Sequence, residues 1–315
     1  MNGLQRKDLL DIQSLSTEEI LLICNSAKYF KALFTRSIKT VPILRGKTVC
    51  LLFYEPSTRT RISFELAAKR LSADLINIAV QTSSVVKGES LIDTVHTLEA
   101  YKADFIVMRH AASLAPHFLS RNIKSSVINA GDGNHAHPTQ ALLDAYSLIE
   151  KRGDIKGLHI GIVGDILHSR VARSNMEIFK RLGAKVSLIG PPTLVPDDFT
   201  MYAVDIYYDF DTILPQLDVV YMLRIQRERQ QGSFFPSIHE YHKRFALTNE
   251  RLKRCKNNVI VMHPGPINRG IEIDDEVADS PYSIINEQVT NGVAVRMAIF
   301  YLLAGGAPLD EKEVE

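Results

Sequence analysis

Between Phe53 and Leu66 the chain reads FYEPSTRTRISFEL, so hydroxyl and guanidinium residues alternate between an apolar run and a segment with helical spacing. A strand ending at Tyr54, a proline that cannot extend a helix backward and Ser57 at the N-cap put the amides of Thr58 to Arg61 at a helix start. Amides in that position, with the positive end of the helix dipole, bind anions. The hydroxyls of Ser57, Thr58 and Thr60 add donors, and Arg59 adds a charged, bidentate contact suited to phosphate. The GxxxxGK[ST] spacing is absent, so this is not a Walker loop. The competing reading is an ordinary capped helix with solvent-facing arginines.

Further groups with the same chemistry follow. Lys87, in the polar stretch QTSSVVKGES, is a second candidate anion contact, against the plain reading of a solvated loop lysine. Arg109 ends the run DFIVMR, at the carboxyl end of a predicted strand, where ligands collect in open α/β sheets. His137, Pro138 and Gln140 stand just before a helix with Leu142, Ala145, Tyr146 and Ile149 on one face. His137 suits general acid or base work or a structural role, and Gln140 suits a ligand contact or a cap.

Positioning these groups requires strands and helices in alternation. LSTEEILLICNSAKYFKAL opens with Ser16 or Thr17 as N-cap and reads as a helix; KTVCLLFY, LINIAV and DFIVMR read as buried strands, with SLIDTVHTLEAYK a helix between the last two. After a glycine-rich turn around INAGDGNHAHPTQ a second alternation begins: LHIGIVGD, a helix through RVARSNMEIFKRLG, AKVSLIGPP, LDVVYMLR and NNVIVMHPGP. A final helix runs from about Val289 to Leu303 and stops at Gly305 and Gly306. The pattern predicts an α/β fold of two domains, each a mostly parallel sheet flanked by helices, joined by interdomain helices. The expected division is 1–138, completed by the C-terminal helix 287–315, and 139–286.

Composition bounds the partners. The chain has 315 residues, 45% of them hydrophobic, which favours two cores over one. With 37 basic and 36 acidic side chains, bulk charge gives no reason to expect nucleic acid or an anionic membrane as partner. Cys24, Cys50 and Cys255 are scattered and lack CxxC spacing, so neither a disulfide framework nor a metal site is expected. The first twenty residues lack a signal-peptide apolar core, and charges interrupt every long apolar run, so a cytoplasmic location is expected.

STRTR, SSVVKGE, the Arg109–His110 pair, GDGNHAHPTQ, YMLRIQRER and HPGP, in that order, together resemble the aspartate/ornithine carbamoyltransferase family along nearly the whole chain. The resemblance implies transfer of a carbamoyl group from carbamoyl phosphate to an amine, with no cofactor. It implies that Ser57, Thr58, Arg59 and Thr60 hold the phosphate, and that Arg109 bridges phosphate and carbonyl oxygen. Thr60, Arg109 and His137 would face the developing oxyanion, where fixed donors contribute most to catalysis. Gln140 and the carbonyls of Pro264 and Gly265 would accept from the carbamoyl amide. Arg170, Arg224 and Gln226 occupy the positions that would hold the two carboxylates of aspartate. Ser83 and Lys87 would reach the site of a neighbouring subunit, giving a homotrimer with shared active sites, Lys87 also serving the acceptor. A regulatory chain or a dihydroorotase partner is compatible with the resemblance, although no motif points to either.

Aspartate is favoured over ornithine as acceptor, for pyrimidine biosynthesis, because Glu55 precedes the cradle where the ornithine branch usually carries lysine and MHPGP replaces that branch's HCLP. The runner-up is a carbamoyltransferase acting on ornithine or another amine, followed by a non-catalytic homologue. A dinucleotide oxidoreductase is disfavoured, since GIVGD lacks the GxGxxG spacing and the next strand ends SLIGPP without an acidic residue. Val171 and Gly265 depart from relatives that carry threonine and leucine there. The first would remove one hydroxyl contact; the second is expected to matter little if only its carbonyl is used.

Overall fold

The computed structural model describes residues 3–78, 90–226 and 234–309. Contacts divide the chain into two compact units, one of residues 1–146 with 289–315 and one of residues 147–288.

In the first unit the elements run α1 (Thr17–Ala32), β1 (Thr48–Phe53), α2 (Thr58–Arg70), β2 (Asp74–Ile78), α3 (Leu91–Ala100), β3 (Phe105–His110), α4 (Ala115–Asn122), β4 (Ser126–Asp132) and the start of α5 (Pro138–Arg152). Ser16 caps α1 in a reciprocal capping box with Glu19, which satisfies two otherwise orphaned amides. The four strands lie parallel in the order β2-β1-β3-β4. The central strands are buried through their middles, as parallel strands covered on both faces must be.

The second unit holds β5 (His159–Val163), α6 (Arg170–Arg181), β6 (Lys185–Ile189), β7 (Asp205–Tyr207), α7 (Phe210–Ile213), β8 (Val219–Met222), α8 (Ile238–Phe245), α9 (Asn249–Leu252), β9 (Ile260–Met262), α10 (Asp275–Ala278) and the first residues of α11 (Ile285–Leu303). Its five strands are also parallel, in the order β7-β6-β5-β8-β9. Val163, Ile189, Phe210, Met222, Tyr241 and Val261 are among the buried residues of its core.

Both units show the expected parallel α/β layers. Three local readings change. Ile128 to Asp132, read as a glycine-rich turn, belong to strand β4, whose buried face leaves no polar alternation to mark it. Helix α11 begins a turn earlier than its apolar periodicity indicates, because INEQ is polar. The contact division falls at Tyr146/Ser147, further along α5 than the expected 138/139.

Arg296 of α11 is buried within the first unit, donating to Ser63 Oγ and the Gly292 carbonyl, both at 2.9 Å, and lying over the Phe64 ring. Burial pushes this guanidinium down to about 10, and Asp144 opposes the shift. Replacing Arg296 by alanine leaves the buried Asp144 without that positive charge. Arg296→Ala is expected to lower stability by about 3–5 kcal/mol in urea denaturation, the range for breaking a buried charge interaction.

Candidate active site

Each sheet reverses its winding once. The chain moves from β1 outward to β2, then returns to place β3 on the other side of β1; likewise β5 proceeds to β6 and β7 before β8 takes its other side. Ligands of open α/β sheets bind at the carboxyl ends of the strands flanking such a reversal. The described candidate residues of each unit end or follow these strands or the next strand in sheet order.

In the first unit, β1 and β3 pair up to Phe53 with Arg109, and the Tyr54 N–H donates to the Arg109 carbonyl at 2.8 Å. Glu55 and Pro56 follow, and α2 starts at Thr58. Ser57 occupies the N-cap position with extended backbone, but its hydroxyl makes no capping bond. Arg61 N–H already donates to the Ser57 carbonyl, so the anion-facing set is narrower than expected: Thr58, Arg59 and Thr60 precede the first internal hydrogen bond. Thr60 is buried, whereas Thr58 and Arg59 are exposed.

Arg109 does not project unaided. Its Nε lies 3.4 Å from Glu55 Oε2, and its Nη1 donates to the Ala130 carbonyl at 3.1 Å. Glu55 therefore holds the arginine at the strand end, which gives the acidic residue at this position a physical role. The next residue, His110, accepts from the Ala112 N–H through Nδ1 at 2.9 Å. Burial holds the His110 imidazole below its usual value, so this ring is neutral near pH 7 and adds no cation beside Arg109.

His137 is buried immediately before α5, and its carbonyl accepts from the Gln140 and Ala141 amides. Gln140 Nε2 donates to the buried Asp144 at 3.0 Å, which commits the nitrogen end of the amide and leaves Oε1 as the end that accepts from a ligand. Thus Ser57 to Thr60, Arg109, His137 and Gln140 all belong to the first unit.

In the second unit β5 ends at Val163 beside Met222 of β8. Gly164 follows with φ of +127°, where an added Cβ would lie 3.0 Å from the Leu223 carbonyl and 3.1 Å from the Tyr241 hydroxyl, so glycine is required. Asp165 is fully buried: one oxygen lies 2.7 Å from His168 Nδ1, and the other accepts from the Gln226 N–H at 3.4 Å. Gln226 Nε2 donates to the His168 carbonyl at 3.3 Å. Ser169 caps α6, and Arg170, the first residue of that helix, is buried. Arg224 follows β8 and Arg170 opens the helix that follows β5, so both arginines come from connections leaving the strands that flank the second reversal.

After β9, His263 Nε2 lies 3.2 Å from Glu272 Oε1, and His263 Nδ1 accepts from the Gly265 N–H at 2.8 Å. Glu272 also accepts from the Asn268 N–H at 2.6 Å. This buried pair fixes the turn carrying Pro264 and Gly265, within which Gly265–Pro266 is cis. Tyr241 is buried, and burial, with Glu272 and Asp165 adding, pushes its phenol well above the usual value, so it stays neutral.

Sequence reasoning missed Asp165, His168, His263 and Glu272 as positioning residues, although GD at a strand end and HP in MHPGP were visible signals. Ser83 and Lys87 lie outside the described residues.

Residues 7–150 match the family described as "Aspartate/ornithine carbamoyltransferase, carbamoyl-P binding domain", and residues 156–303 match its "Asp/Orn binding domain". An aspartate carbamoyltransferase catalytic subunit from Endomicrobium trichonymphae is 57% identical over 96% of each chain. Among solved structures, aspartate transcarbamoylase from Trypanosoma cruzi in complex with N-(phosphonacetyl)-L-aspartic acid is similar, with TM-score 0.85, 29% identity and coverage of 94% of this chain and 95% of that one. Ornithine carbamoyltransferase from Pyrococcus furiosus matches with TM-score 0.86 and 31% identity, covering 97% and 99%. The fold alone does not separate the two acceptors.

Gly265 has φ of +64°, in the left-handed region, so more than its carbonyl matters. Gly265→Leu is expected to cost about 1–2 kcal/mol in denaturation measurements, the usual penalty for a side chain in that conformation.

Proposed function

The chain belongs to the aspartate/ornithine carbamoyltransferase family, and we propose that it is the catalytic chain that carbamoylates L-aspartate, giving N-carbamoyl-L-aspartate and phosphate. The observation that carries the acceptor assignment is the pair Arg170 and Arg224 on the connections that leave the strands flanking the second unit's reversal. A dicarboxylate calls for cations there. Ornithine would call for a carboxylate to meet its distal ammonium, and the nearby Asp165 is buried and engaged by His168 and Gln226. The 57% identity to an aspartate carbamoyltransferase catalytic subunit supports the same choice.

The amides of Thr58 to Thr60, the hydroxyls of Ser57, Thr58 and Thr60, and the Arg59 guanidinium hold the phosphate of carbamoyl phosphate. Arg109, oriented by Glu55, contacts phosphate and carbonyl oxygen, while Thr60 and His137 supply further donors to that oxygen. Gln140 Oε1 and the carbonyls of Pro264 and Gly265 accept from the carbamoyl nitrogen, which aims the carbonyl carbon. The neutral amine of aspartate attacks that carbon, held through its carboxylates by Arg170, Arg224 and Gln226. Negative charge develops on the carbonyl oxygen, where preorganised donors stabilise it without reorganisation. The carbon–oxygen bond to phosphate then breaks, and the departing phosphate takes the proton lost by the amine, so no side-chain base is required.

In this reading the product feeds de novo pyrimidine synthesis in the cytoplasm, and the working assembly is a homotrimer in which Ser83 and Lys87 complete a neighbour's site.

Phosphate release tests the assignment: wild type should release phosphate from carbamoyl phosphate with L-aspartate and not with L-ornithine, and Arg59→Ala should lose at least 100-fold in turnover efficiency. Ornithine-dependent release would overturn the two-arginine argument. Shared sites predict that inactive Arg59→Ala and Lys87→Ala chains regain partial activity when reassembled together. No recovery in verified mixed assemblies would refute the sharing.

A further inference from the structure

Another convergence of side chains lies in the first unit, where the N-terminal segment, α4 and the end of β4 come together. Leu9 bridges to Ile128 in parallel, its N–H donating to the Val127 carbonyl, which brings Asp11 alongside α4. Asp11 Oδ2 lies 2.8 Å from His117 Nε2, while its Oδ1 accepts from the Ser14 N–H at 2.8 Å. The second ring nitrogen of His117, Nδ1, is buried and meets no hydrogen-bond partner among the described residues. His135 packs edge-on against His117, with ring centroids 5.3 Å apart, and its Nδ1 lies 3.0 Å from Asp132 Oδ2. A ring nitrogen of each histidine and an oxygen of Asp132 all lie within 4.8 Å of one another.

Two features distinguish this cluster from a chance ion pair. Asp132 is fully buried and braced by the Leu114 N–H at 2.6 Å and Asn129 Nδ2 at 2.8 Å, so its carboxylate is fixed in place. His117 is oriented by a carboxylate on one nitrogen while the other is left buried and unsatisfied. That is the carboxylate–histidine arrangement by which proteins aim a ligating imidazole at a metal.

We infer that His117, His135 and Asp132 form a binding site for a divalent transition metal ion of the zinc class, with Asp11 as the carboxylate that orients His117. Two imidazoles and one carboxylate suit zinc or cobalt better than calcium or magnesium, which take oxygen ligands. Ligand distances of about 2.0–2.1 Å require the donor atoms to lie no more than roughly 4.2 Å apart, so the ring of the partly exposed His135 must close slightly. Three protein ligands leave a position for water, which makes the ion exchangeable. The Asp132 N–H donates to the Ala136 carbonyl and the Ala136 N–H donates to Asp132 Oδ1, and His137 is the next residue, so the bound ion ties down the turn that delivers His137. This inference stands independently of the acceptor assignment.

The test titrates chelator-treated protein with Zn²⁺ by calorimetry and with Co²⁺ by visible absorption. Wild type should bind one ion per chain and give the intense visible bands of low-coordinate Co²⁺. His117→Gln and His135→Gln should each weaken binding at least 100-fold, Asp11→Asn about 10- to 100-fold, and a control at the exposed His239, His239→Gln, should leave it unchanged. His135 is partly exposed, so its variant keeps the fold even if the His117 variant does not, as circular dichroism will show. Absence of saturable binding in wild type, or binding indifferent to His135→Gln, overturns the site.

Discussion

Right-handed crossovers force a parallel sheet to reverse its winding if the chain is to place strands on both sides of the first one, and the reversal leaves two neighbouring strand ends whose following loops diverge. In the first unit those ends belong to β1 and β3, in the second to β5 and β8. Every described residue proposed to act ends or follows one of these strands or the next strand in sheet order. The register makes this specific: Phe53 pairs with Arg109, and Val163 with Met222. A one-residue slip would turn Arg109 to the opposite face and separate it from Glu55.

Buried and half-buried carboxylates share a common duty. Glu55 steadies Arg109, Asp144 fixes the orientation of Gln140, Asp165 ties His168 to Gln226, and Glu272 holds His263 and the Pro264–Gly265 turn. Each is engaged by hydrogen bonds or an ion pair, so its charge is compensated before any ligand arrives. In the proposed reading, the anionic substrates then meet cations and amides that are already aimed. Preorganisation of that kind is the principal way a protein stabilises charge developing on a carbonyl oxygen.

The start of α2 was legible because Pro56, Ser57 and the alternating Thr and Arg residues write a helix start in local sequence, and the end of β3 because an apolar run ending in arginine marks a strand end. Strand β4 was not, since a strand buried from Val127 to Asp132 carries no alternation to read. The supporting carboxylates were hidden for another reason: Asp144, Asp165 and Glu272 matter through partners on other turns, and Glu272 is a loop residue whose burial no spacing predicts. The cluster of His117, Asp132 and His135 likewise joins α4 to the end of β4 and the turn after it, and Asp11, which orients His117, comes from the distant N-terminal segment, so no single motif announces it.

Where carbamoyl phosphate sits tests the proposed site most directly. A crystal structure of the protein soaked with carbamoyl phosphate should place phosphate oxygens within hydrogen-bond distance of the Thr58 to Thr60 amides and the Arg59 guanidinium, with the carbonyl oxygen toward Arg109 and His137. A phosphate bound elsewhere, with the start of α2 left to water, would contradict it.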